Sequence, residues 1–135
     1  MKNAISTALL VLLASAAAAE ETNPVLGDWE WNPTRGQCKE MHSYRSDGTA
    51  TFKSGDEILE KTYTVSDAGG GMFLVEMTVV SSNGGKDCLG SPTPVGAKSS
   101  VYVMPLNGGG YFTCAEPDGM SCYGSTSKRT AASDP

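Results

Sequence analysis

The chain has 135 residues, with ten basic and fifteen acidic side chains, a net charge of −5 and an isoelectric point near 4.7. This acidity excludes a nucleic-acid binder, whose phosphate partner demands a basic face. The length suits one domain with a modest core.

Residues 1–19 read as a secretory signal segment: Lys2, then the apolar Ala8-Leu9-Leu10-Val11-Leu12-Leu13, then the small residues Ala17-Ala18-Ala19. The apolar run falls well short of the roughly 20 residues that span a bilayer, so no membrane anchor is expected. Cleavage after Ala19 leaves a single domain over residues 20–124, and the polar stretch 125–135 is read as a flexible C-terminal tail.

After the signal segment, turn residues recur at short intervals and the stretches between them alternate apolar with polar, which is the pattern of an antiparallel meander. Strand 1 is expected at 26–31, where Trp29 and Trp31 share one face and Asp28 and Glu30 the other. Strand 2 follows at 39–46. Asp47-Gly48 supplies the positive φ of a two-residue hairpin loop leading to strand 3 at 49–53. Strand 4 covers 57–66. Strand 5 covers 72–81, with Phe73, Val75, Met77 and Val79 on its apolar face. Residues 81–97 hold Asn83-Gly84-Gly85, two prolines and Cys88, and read as a long loop. Strand 6 is placed at 99–104, and 111–115 with 120–123 make a last hairpin. The expected fold is all-β, a small up-and-down antiparallel barrel or meander of about eight strands.

Cys38, Cys88, Cys114 and Cys122 follow an export segment, so two disulfides are expected. None of their spacings is that of a zinc site, and the single histidine, His42, stands four residues from Cys38; neither metal nor cofactor is predicted. Spacing alone leaves the pairing open. Cys114 and Cys122 flank one short hairpin, which favours their bridging each other and leaves Cys38 for Cys88. In an up-and-down order the loops at 32–38, 54–57, 81–97 and 116–119 share one rim, which also carries the cysteines.

Gly27-x-Trp29, the aromatic strand it opens and Asp47-Gly48-Thr49 resemble the small bacterial lipocalin-like domains of the calycin type. The resemblance implies that Trp29 plugs the closed end of the barrel and that the cysteine rim is the open mouth.

Glu40, His42 and Tyr44 alternate on one face of strand 2, and Lys61 shares a face with Leu59, Tyr63 and Val65 on strand 4. If Tyr44 packs inward, Glu40, His42, Tyr44, Lys61 and Tyr63 form a candidate ligand site in the mouth, with Glu40 and Lys61 as partners. The competing readings are a bulge near Ile58-Leu59 that turns Lys61 into water, and an ordinary exposed His42. The two tryptophans read as core rather than as a ligand platform. Asp56-Glu57 reads as solvated turn charge. A nucleophilic triad would rest wholly on His42, without the Gly-x-Ser-x-Gly turn that exposes a serine nucleophile. The expected function is therefore binding without catalysis, in the periplasm or outside the cell. The partner is a small apolar ligand in the mouth or a protein, such as a hydrolase, held by the rim loops; an enzyme centred on His42 is the weakest reading.

Overall fold

The computed structural model describes residues 22–129; the expected signal segment at 1–19 lies outside them. Eight strands follow one another: β1 Gly27–Pro33, β2 Glu40–Tyr44, β3 Thr49–Ser54, β4 Glu57–Gly69, β5 Met72–Ser82, β6 Lys98–Pro105, β7 Tyr111–Cys114 and β8 Cys122–Lys128. Each pairs antiparallel with the next, and β8 returns to β1, closing the barrel. Closure removes the free edges that a flat eight-stranded meander would expose. Among the described residues no helix is long and apolar enough to cross a membrane.

Inward positions alternate along the strands as their apolar residues do. Trp29, Tyr44, Ala50, Phe52, Leu59, Tyr63, Val75, Met77, Val79, Val101, Val103 and Tyr111 fill the interior, and Val25 joins them from the segment before β1. Each large side chain buried this way stabilises the fold by about 1.5–3 kcal/mol.

One end is closed by Val25 and Trp29. Trp29 Nε1 donates to the Val25 carbonyl at 2.8 Å, and its ring meets Tyr111 edge-on, 5.5 Å between centroids. Across the same end Asn23 Nδ2 donates to the Tyr63 hydroxyl, which donates at 2.6 Å to the Arg45 carbonyl. The β2–β3 turn also lies here, and it differs from the two-residue loop expected. Arg45 N bonds Thr49 O, so the loop is Ser46-Asp47-Gly48, with positive φ at Gly48 alone. Asp47 keeps negative φ and spends its carboxylate on the Thr49 amide and hydroxyl, at 3.0 and 2.6 Å.

At the open end the 34–39, 55–56, 83–97 and 115–121 loops share the rim, as the strand order requires. Cys38–Cys88 ties the first to the third, and Cys114–Cys122 closes the last hairpin. The long loop is anchored to the β3–β4 corner: Asp56 N donates to Lys86 O, Cys88 N to Ser54 Oγ, and Thr93 N and Oγ1 to the Glu57 carboxylate. Glu57 is thus buried, not a solvated turn charge; Thr93 satisfies both of its oxygens.

The barrel also runs past residue 124. Residues 125–128, read as tail, belong to β8, because the closing strand needs Thr126. That side chain is buried and exchanges hydrogen bonds with the Tyr111 amide and carbonyl at 2.9 and 3.1 Å. Residues 130–135 lie outside the described residues.

A mouth cavity of aromatic rings around one carboxylate

Strand β2 carries Glu40, His42 and Tyr44 on its inner face, and β3 carries Phe52 and Ser54 beside them. Glu40 is the hub. Its Oε2 lies 2.9 Å from His42 Nε2, and its Oε1 accepts from Ser54 Oγ at 2.9 Å. Burial works to raise the Glu40 pKa, but His42, Ser54 and the Lys61 charge together hold it below the ordinary carboxylate value, so the group is ionised near neutral pH. Burial pushes His42 down from 6.5 against the opposing pull of Glu40, with Lys61 adding to the lowering. The imidazole is therefore neutral, donates from Nε2 to Glu40 and leaves Nδ1 as an acceptor.

The His42 ring stacks on Phe52, 3.8 Å between centroids and 12° from parallel. The Lys61 ammonium stands 3.8 Å from the centre of the same ring. His42 and Lys61 come from β2 and β4, the strands on either side of β3, so they cover opposite faces of Phe52. This replaces the expected Glu40–Lys61 pair: Glu40 is bound by His42 and Ser54, and Lys61 rests on an aromatic face. Burial lowers the Lys61 pKa, opposed by the charges of Glu40 and Glu57. Lys61 does point inward, and the bulge weighed against it sits elsewhere. The extra residue is Val80 on β5, between the Glu60–Ser81 and Lys61–Val79 pairs; Val80 turns outward while Val79 and Lys61 stay inside.

Above this group lies a cavity of about 190 Å³. Its wall contains Glu40, His42, Tyr44 and Phe52, completed by Trp31, Met77, Val101, Tyr111, Thr113 and Tyr123. Trp31 Nε1 donates to Thr113 Oγ1 at 3.0 Å, which fixes the indole at the rim. On the floor the Tyr44 hydroxyl donates to Met77 Sδ at 3.7 Å, a weak acceptor. Burial, with Tyr111 close by, raises the Tyr44 pKa well above normal, and burial raises that of Tyr111 as well. The Tyr111 hydroxyl is buried and makes no hydrogen bond of good geometry, although the Tyr44 hydroxyl stands beside it and opposes the rise in its pKa. Burial and the Glu40 charge raise Tyr123, whose ring meets Trp31 at 6.4 Å.

Of the five residues expected in the site, Glu40, His42 and Tyr44 line the cavity. Lys61 lies behind Phe52, and Tyr63 belongs to the closed end, where its hydroxyl bonds Arg45 O. The alternation missed Tyr123 for a physical reason. It is the extra residue of a β7–β8 bulge, between the Thr113–Gly124 and Cys114–Cys122 pairs, and the bulge re-aims its ring toward Trp31. Ser54 and the Tyr111/Thr113 pair did carry a signal, since they alternate in phase with Phe52 and with each other.

Larger hollows lie apart from the mouth; the two largest, of about 500 and 420 Å³, lie beside the exposed Thr62, Thr64 and Glu76 and near the closed-end Asn23 and Ser46. Both touch Tyr63, but neither includes Glu40, His42, Ser54, Lys61 or Tyr111. Among the described residues no cluster of three or more histidine, cysteine, aspartate or glutamate side chains could hold a metal ion. No family model, curated protein or solved structure matches the chain.

Proposed function

We propose that this protein is an exported, non-catalytic carrier or sensor that holds a compact, largely apolar ligand in the barrel mouth. The observation that carries this reading is a cavity rimmed by Trp31 and Tyr123, in whose wall the buried Tyr111 hydroxyl has only the Tyr44 hydroxyl beside it and no hydrogen bond of good geometry. A buried polar group left wholly unbonded costs about 1–3 kcal/mol, and a ligand that gives a poorly bonded one a good partner recovers part of that cost. The cavity is smaller than the several hundred cubic ångströms of most small-molecule sites, so its ligand is no larger than one ring or a short branched chain.

The order of the polar groups supports binding without catalysis. Ser54 bonds Glu40, and Glu40 bonds His42; a serine nucleophile would instead need its hydroxyl on the imidazole. Two disulfides suit an oxidising, extracytoplasmic compartment, in keeping with a periplasmic or secreted protein. The experiment is native mass spectrometry of the protein purified under mild conditions. A bound small molecule, absent from a Val101→Phe variant whose larger side chain fills the cavity, supports the reading; its absence from both proteins counts against it.

A second reading has its own observation. Leu89, Val95 and Met120 on the rim loops are 92, 62 and 88 % exposed, and the 83–97 loop that carries the first two is firmly anchored. Such a rim suits a protein partner, for example a hydrolase to be inhibited, and a co-purifying protein in the same spectra would favour it.

A further inference from the structure

Resting on the small-ligand reading, we propose that the ligand of the mouth is a compact organic cation, an alkylammonium whose charge is wrapped in methyl or methylene groups. Glu40 is its counter-charge and the rings of Trp31, Tyr123, Tyr44 and Tyr111 are its wall.

Three features of the site converge on this chemistry. The first is charge. Glu40 is the ionised group of the cavity wall, since the buried His42 is neutral and the other lining residues carry no charge near pH 7. An anionic ligand would face that carboxylate without compensation, whereas a cation is drawn to it in a site that is partly withdrawn from water. Each Glu40 oxygen already accepts one hydrogen bond, from Ser54 or His42. The carboxylate therefore acts well as a fixed charge even toward a quaternary ammonium, which has no N–H to give.

The second is the wall. Aromatic faces attract cations through their negative quadrupole, and aromatic boxes closed by an acid suit methylated ammonium groups. The barrel interior already uses this attraction once, where Lys61 stands 3.8 Å from the centre of the Phe52 ring. His42 and Lys61 take the two faces of Phe52, and Trp31 lies near-parallel to His42 at 6.0 Å, so the rings that remain for a ligand are the three tyrosines and the part of the indole that borders the cavity. Trp31 has its N–H fixed on Thr113, which holds the indole in place.

The third is size and the floor. A cavity of about 190 Å³ is close to the one-ring scale, and the Tyr111 hydroxyl, which makes no hydrogen bond of good geometry within the protein, can bond a ligand hydroxyl or ammonium N–H. The acidic chain as a whole, at −5, also favours the approach of cations.

Lys61 gives the proposal a sharp consequence. Its ammonium lies behind Phe52 and repels a bound cation, so Lys61→Met should tighten cation binding; for an anionic ligand the same change should weaken it. The experiment is a titration of the full chain, followed by tryptophan fluorescence and calorimetry. The probes are tetramethylammonium, choline and 3,3-dimethylbutan-1-ol, the last a neutral molecule of choline's shape. We expect choline to bind roughly tenfold more tightly than the neutral analogue, the scale of a desolvated cation–π contact. Glu40→Gln should abolish most of that preference, Lys61→Met should tighten choline severalfold, and Tyr111→Phe should weaken choline more than tetramethylammonium. Equal or tighter binding of the neutral alcohol would overturn the cation and leave a small-ligand mouth standing. Failure of all three probes would also overturn it, while the mass-spectrometric experiment on the native protein decides the broader reading separately.

Discussion

The indole of Trp31 lies flat against the backbone of Gly124 on the neighbouring strand, so close that a Cβ at that position would overlap the ring. Trp31 and Gly124 thus share one space, and the glycine is required for room rather than for its backbone angles. Gly124→Ala should push the indole toward the cavity and cost about 1–3 kcal/mol, the usual penalty of overpacking. Urea unfolding measures the loss, and a shifted tryptophan emission reports the displaced ring. An alanine variant of unchanged stability and emission would mean that Trp31 is not seated there.

Trp29 and Asp28 give a second test. Trp29 is buried and hydrogen-bonded to Val25 at the closed end, while Asp28 points outward. Trp29→Ala should destabilise the protein by about 3–5 kcal/mol. Asp28→Ala should alter stability by less than about 0.5 kcal/mol. Similar effects in the two variants, by urea midpoint, would contradict the strand phase.

The disulfides should differ in weight. Cys38–Cys88 closes a separation of 50 residues and Cys114–Cys122 one of 8. On chain entropy the first is worth about 4 kcal/mol and the second about 2.5. The Cys38→Ala/Cys88→Ala protein should also show faster amide exchange across 83–97, since that loop loses its covalent anchor. Uniform exchange in wild type and variant would leave the hydrogen bonds to Ser54 and Glu57 as the whole of its restraint.

Much of the barrel could be read from the chain because burial enforces alternation. Val75, Met77 and Val79 face inward as their spacing requires, and the cysteine pairing follows from the last hairpin. What could not be read depends on single extra residues or on long-range partners. The bulges at Val80 and Tyr123 break the period of two without any residue type that announces them. Glu57 looks like turn charge until Thr93, 36 positions away, is seen to bond it. The inward polar face of β2 was legible; its partners were not. Glu40 chose His42 and Ser54 on its own and the adjacent strand over Lys61 one strand further away.

That choice sets a double-mutant prediction. Glu40→Gln with His42→Gln should show coupling of about 0.5–3 kcal/mol, as residues in contact do. The cycle of Glu40→Gln with Lys61→Met should show less, because the two charges sense each other without touching. Denaturation midpoints across both cycles decide it; the reverse order of coupling would restore the ion pair and contradict the arrangement around Phe52.

Acid should weaken the fold through His42 first and Glu40 next. In the folded protein His42 binds its proton more weakly than in the unfolded chain, with Glu40 opposing and Lys61 reinforcing that shift. The stabilisation is complete above the unfolded value of 6.5 and is lost as the pH falls through the lower folded value. The Glu40 contribution has the same sign, present above 4.5 and lost on further acidification. Stability measured by urea should therefore begin to fall just below pH 6.5, and His42→Gln should flatten that first decline. An undiminished decline in the variant would assign it to other groups.

The most direct measurement of a ligand-holding mouth is the two-dimensional ¹H–¹⁵N NMR spectrum of the protein during titration with a library of ring-sized compounds, because the Trp31 indole N–H reports from the rim itself. Shifts confined to that indole signal and to the amides of His42, Val101, Thr113 and Tyr123, and lost in Val101→Phe, are the predicted result. Shifts that appear only at exposed Leu89, Val95 and Met120, or no saturable shift at all, would contradict it.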